Sequence, residues 1–258
     1  MEIGILIVGI LAGVMSGLFG IGGGIVMVPT LIAIFGMNML DANATSLAAM
    51  LLPVGIFGVI NYYKAGYINL KDSLWIALGL FGGSFFGAEL AVSLDVNLLA
   101  KLYAAYLLWI AVGYFDIPSY FSRNKNKNKT ESIQPKTQRA IWQFILIGVL
   151  AGVIAGMFGK GGGLVIVPIL IKFFDYDPKA ASATSLAALQ LPVGLPSVIV
   201  YAEDGHLNFF YAGLMAFGIL VGVFFGSKLA LNLSSAIFKK VYAVFLLGVA
   251  VYMVVKYI

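Results

Sequence analysis

The strongest constraint on this chain is that it contains the same unit twice. Residues Gly9 to Tyr114 align without a gap on Gly148 to Met253, at an offset of 139 residues, and nearly half of the aligned positions are identical. LAGVMSGLFGIGGGIVMVP (11–29) returns as LAGVIAGMFGKGGGLVIVP (150–168), and ATSLAA (44–49) as ATSLAA (183–188). LPVG (52–55) returns as LPVG (191–194), and FFGAELA (85–91) as FFGSKLA (224–230). A duplication this complete makes residues 1–258 one domain of two halves. Repeat 1 covers 3–117, a linker 118–140, and repeat 2 141–257.

The medium for this pair follows from hydropathy. With 61% hydrophobic and 10% charged residues, the chain has too few charges for a water-covered surface, where about a quarter is usual. It reads as an all-α polytopic membrane protein. No basic segment precedes the apolar run from Ile3, so the first helix is expected to be retained rather than cleaved. The absence of cysteine excludes disulfides, thiolate metal sites and cysteine nucleophiles. Six of the sixteen basic residues fall between Arg123 and Arg139. That stretch has no interleaved aromatic residues, so it reads as a cytoplasmic linker and not as a nucleic-acid surface.

Each half divides into five apolar pieces. They run 3–19, 24–36, 44–63, 70–93 and 98–117, then 141–158, 163–174, 183–201, 208–231 and 240–257. The last three of each set are expected to span. The second piece, near 12 residues, would cover only about 18 Å. Each first pair is therefore either a re-entrant hairpin, which inverts the halves, or one broken crossing, which leaves them parallel. With the linker inside, inversion places basic residues 13 inside to 2 outside, against 9 to 6 for the parallel arrangement. The positive-inside rule favours inverted repeats, each with a glycine-broken re-entrant hairpin and three spanning helices.

Matching glycine loops join the short pieces: Gly20, Gly22, Gly23 and Gly24 in GIGGG, and Gly159, Gly161, Gly162 and Gly163 around Lys160 in GKGGG. Consecutive glycines permit an anion nest, and the following helix aims free N–H groups at the same point. Such loops at matching places in inverted halves point to a transport site, with the two tips meeting near the midplane. Close helix packing is the alternative role of these glycines. The lysine is not followed by Ser or Thr, so there is no P-loop. Lys160 replaces Ile21 and needs an anionic ligand, a salt bridge or a route to water.

Thr45, Ser46, Thr184 and Ser185 either cap their helices or line the site. Pro53 and Pro192 mark hinges or kinks, and Gln190, opposite Leu51, is an asymmetric polar addition. Glu89 is the only acid inside an apolar run. It is a candidate for proton coupling, or it snorkels as its counterpart Lys228 can. His206 is the sole histidine and lies in the loop EDGHLN, so no histidine-based metal or catalytic site is expected, nor any cofactor.

The pattern GxGGGxxxVPxL followed by ATSLAA, present in both halves, resembles the sulfite exporter TauE/SafE family, also described as the TSUP permeases. The resemblance covers nearly the whole chain. It implies a secondary carrier in a bacterial or archaeal cytoplasmic membrane, moving sulfite, a sulfonate, sulfoacetate or another small anion. Lys160 departs from the apolar residue expected in the second loop. An anion channel and a carrier of non-sulfur organic anions are the alternatives, and no motif supports an enzyme.

Overall fold

The computed structural model describes residues 2–20, 22–106, 139–159 and 162–232, together with 248 and 251. Every regular element among the described residues is helical. The first half holds α1 (Glu2–Phe19), α2 (Gly24–Phe35), α3 (Met39–Ala49), α4 (Ile56–Lys64), α5 (Leu70–Ser93) and a helical stretch α6 over 96–106. The second holds α7 (Ile141–Phe158), α8 (Gly163–Phe173), α9 (Pro178–Ala188), α10 (Leu195–Glu203) and α11 (Phe209–Asn232). Residues 107–117 of the piece 98–117, all of the linker 118–140 but its last two residues, and most of the piece 240–257 lie outside the described residues.

Among the described residues, four helices are long and apolar enough to cross a membrane: α1, α5, α7 and α11. At 18 residues, α1 and α7 reach about 27 Å, close to the thickness of a bilayer's hydrocarbon core. Large apolar side chains such as Phe81, Phe86, Phe217 and Phe225 are exposed on α5 and α11, as lipid-facing positions should be.

The expected spans 44–63 and 183–201 are corrected by the structure. Each is two short helices separated by a non-helical break, α3 from α4 over 50–55 and α9 from α10 over 189–194. The cause is local. Pro53 and Pro192 lack the N–H that would continue the helix, and Gly55 and Gly194 follow two residues later as the N-caps of α4 and α10.

Two close helix pairs form the frame, α1 with α11 and α7 with α5. All four carry glycines at every fourth position: Gly9, Gly13 and Gly17, Gly79, Gly83 and Gly87, Gly148, Gly152 and Gly156, and Gly218, Gly222 and Gly226. A Cβ at Gly9 would touch Met215, at Gly13 Ile219 and at Gly17 Val223. The contacts advance in the same direction on both helices, so α1 and α11 run parallel. The series Gly79, Gly83 and Gly87 advances along Ile145, Val149 and Val153 in the same way. In lipid, where apolar surface gains nothing by leaving the solvent, such stripes let backbones approach and gather dispersion contacts.

Candidate transport site

The glycine loops take the conformations that their composition permits. Gly20, Gly22 and Gly23 have φ of 66°, 79° and 71°, and Gly159 and Gly162 both have 65°. Gly23 and Gly162 are the N-caps of α2 and α8; in the first turns Gly24 N donates to Gly22 O at 2.8 Å, Val26 N to Gly23 O at 2.9 Å and Val165 N to Gly162 O at 3.0 Å. Gly24 and Gly163 are buried and open those helices. Lys160, Gly161 and Ile21 lie outside the described residues.

Each tip is docked on the opposite half. The Ser185 hydroxyl donates to Gly20 O at 2.9 Å, and Ser46 donates to Gly159 O at 2.7 Å. Asn43 Nδ2 donates to Met157 O at 2.9 Å. A Cβ at Gly20 would lie 2.2 Å from Ser182 O, and one at Gly159 2.5 Å from Asn43 Cα. These are equivalent contacts, because 46 matches 185, 20 matches 159 and 43 matches 182 at the offset of the repeat. The serines therefore spend their protons on carbonyls of the tips. Thr184 also serves the frame: its hydroxyl accepts from Asn69 N at 3.4 Å and its carbonyl accepts from Ser73 Oγ at 3.0 Å. Thr45 is buried beside Ser46.

The expectation that the two tips meet near the midplane is overturned by these contacts. Gly13 faces Ile219 and Gly222 at the middle of α11, and Gly17 faces Val223 and Ser227. Gly20 therefore lies about 10 Å further along, towards the C-terminal end of α11. There Lys179 Nζ donates to Leu231 O at 3.1 Å, and α9, whose first turn carries Lys179, packs beside the start of α5. Gly156 faces Ser84 and Ala88, so Gly159 lies towards the other end of α5. The tips sit at opposite ends of the bundle.

What meets in the middle is the pair of helix breaks. A Cβ at Gly55 would strike the Gln190 amide at 2.3 Å, and one at Gly194 would touch Leu47 and, at 4.0 Å, Leu51. Gly55 with Gln190 and Gly194 with Leu51 are the same contact seen from the two halves. Ser84, near the middle of α5, donates to Val193 O at 2.8 Å, and Ser197 donates to Ser84 O at 2.7 Å. Asn61 Nδ2 donates to Ser227 Oγ at 2.8 Å and ties α4, which follows the other break, to α11. A small cavity lies between the breaks, lined by Leu47, Met50, Leu80, Ser84, Ala155, Leu189, Val193 and Gly194. Its volume of about 20 Å³ is room for one water.

Gln190 Nε2 donates to Leu186 O at 2.9 Å, while its Oε1 is buried without a partner. Pro53 and Pro192 stand exposed on the breaks, and Glu89 is exposed near the end of α5. Among the described residues no group of acids and histidines could hold a metal ion. Sequence reading missed the role of the LPVG segments as the central contact, although Pro and Gly two residues apart inside an apolar run were the available signal.

The sequence matches a known family over nearly its whole length. Residues 5–253 fit the profile described as sulfite exporter TauE/SafE. The chain belongs to that family. A probable membrane transporter protein of Methanocaldococcus jannaschii is 30% identical over 245 residues, covering 92% of this chain and 87% of the relative. One from Haemophilus influenzae is 29% identical, covering 97% of each chain. Another from Bacillus subtilis is 25% identical, covering 87% and 85%. No solved structure matches significantly. As a member of the TauE/SafE family, the chain is a membrane transporter and not an enzyme.

Proposed function

We propose that the chain moves a small, sulfur-containing anion such as sulfite, a sulfonate or sulfoacetate across the cytoplasmic membrane by alternating access. The observation that carries this reading is the division of contacts between the halves. The LPVG breaks touch at the centre, and each glycine tip is held on the opposite half near one end of the bundle. Pro53 and Pro192 then serve as the hinge, and release of one tip opens one end. Inverted halves are supported by the same contacts, since the end of α11 meets Lys179 beside the start of α5. The positive ends of the α2 and α8 dipoles, behind Gly20, Gly22 to Gly24, Gly159 and Gly161 to Gly163, attract an anion approaching either tip. Thr45, Ser46, Thr184 and Ser185 shape the two docks.

Uptake of labelled sulfite, sulfoacetate and sulfate into proteoliposomes, with and without a pH gradient, tests the proposal. Saturable uptake with counterflow is the expected result. Single-channel currents, or no flux of any of the three, would overturn it. Lys160 supplies the one charge in either tip. Lys160→Ile, which copies the first half, is expected to weaken anion binding about tenfold, the loss of one charge-assisted contact. Lys228→Ala should change it little, because Lys228 is exposed with its Nζ 4.1 Å from the centre of the Phe224 ring. Equal binding by wild type and Lys160→Ile, measured by titration with sulfite, would remove the lysine from the site.

A further inference from the structure

His206 is the only histidine in the chain, and it bridges the two halves. Its Nδ1 lies 2.6 Å from Asp41 Oδ1 in the first half, and its Nε2 lies 3.2 Å from Asp204 Oδ2 in the second. Asp41 is fixed in the first turn of α3, where Asn38 Nδ2 donates to its other carboxylate oxygen at 2.7 Å and Asn38 Oδ1 accepts from its N–H at 2.8 Å. Within the next two turns the same helix carries Asn43 and Ser46, which hold the second glycine tip. The imidazole thus joins the loop before α11 to the helix on which that tip is docked.

Proton count decides how strong this join is. A neutral imidazole has one N–H, so one nitrogen faces a carboxylate with a lone pair. The imidazolium has two N–H groups, and each meets a carboxylate in a charge-assisted hydrogen bond. The further titratable side chains on the neighbouring elements are Glu203 at the end of α10, Tyr201 deep in α10, Tyr211 in the first turn of α11 and Glu2 at the start of α1. No lysine or arginine occurs in α1, α2, α3 or α10 to compete for the carboxylates.

The equivalent join at the other end has different chemistry. Tyr67 stands where the repeat has His206, with Lys179 Nζ 5.9 Å from its ring centre. Tyr176 donates to Asp72, and burial together with that carboxylate pushes the Tyr176 phenol above its ordinary value. Only the His206 end contains an imidazole, the side chain that changes charge near neutral pH.

We propose that His206, Asp41 and Asp204 form a proton-binding site that latches one end of the transporter, so that proton uptake holds that end shut and proton loss frees it. The proposal rests on the transporter reading above, and its test needs no substrate. Ala42, next to Asp41, is fully buried, and Ala42→Cys supplies the only thiol in the chain. The rate at which a thiol-reactive fluorophore modifies this cysteine in nanodiscs is measured with His206 present and with His206→Gln. Taking the ratio of the two at each pH cancels the ionisation of the thiol itself.

At about pH 8 the two rates should agree, and at about pH 6 the His206 protein should react about fivefold more slowly. The latch is complete where the imidazole is protonated and is lost as pH rises, which fixes this sign. A ratio that is the same at both pH values overturns the proposal. If His206→Gln does not elute as folded protein, Asp41→Asn carries the same comparison. Failure of the anion reading would appear instead as absent flux in proteoliposomes, so the two failures are separate.

Discussion

Gly222→Ala is expected to cost the bundle about 3 kcal/mol, because the added methyl would collide with backbone that has nowhere to go. Its Cβ would lie 2.1 Å from Ile10 O and 2.7 Å from Val14 N on α1. A flexible side chain could rotate away from such a clash. Two parallel helices can relieve it only by separating, which loses contacts along their whole length. Gly226, 2.1 Å from Val14 O, and Gly87, 2.1 Å from Val153 O, should behave alike. Gly213 on the same helix has nothing within 4 Å of its Cβ position, so Gly213→Ala should stabilise by about 0.5–1 kcal/mol through helix propensity alone. Thermal unfolding of detergent-solubilised protein reads the contrast. Equal melting temperatures for the two variants would show that the glycine stripes do not set the helix spacing.

The second large effect concerns the docked tips. Replacing Ser46 and Ser185 together by alanine leaves the carbonyls of Gly159 and Gly20 buried without their donors, at about 1–3 kcal/mol each. If each tip is a gate, the double variant should lower the initial uptake rate by about tenfold, with each single variant in between. Ser93→Ala is the control, since its hydroxyl makes only a local bond to Leu90 O at 2.9 Å on an exposed face. Wild-type uptake and melting temperature in the double variant would show that the serines do not hold the tips.

The physical role of these serines changes between the one-dimensional and three-dimensional readings. In sequence they open a helix after an apolar loop, which suits a cap as well as a ligand. In the fold their donors are taken by carbonyls 113 and 165 residues away. What the sequence marked as candidate anion contacts is, for Ser46 and Ser185, the fastening of the loops that lead into α2 and α8.

The LPVG segments show the converse. Their surroundings, MLLPVGIFGVI and LQLPVGLPSVI, are apolar enough to read as continuous spans. The interruption comes from Pro53 and Pro192 with their glycines, and an apolar window is insensitive to a missing N–H. Gln190 stood out only as a difference between halves. Its position over Gly55 follows from bringing the two breaks together.

Duplication, membrane residence and the limits of α1, α2, α5, α7, α8 and α11 were determined by sequence alone, to within about two residues. They depend on local quantities: runs of apolar side chains, lengths set by the rise of a helix, and glycines or prolines that stop it. Which helices pair, which half holds which tip and what meets at the centre were decided only by the tertiary structure. Those outcomes depend on backbones that fit against each other across more than a hundred residues of chain. A stripe of glycines states that a helix has a close neighbour, and only packing states which one.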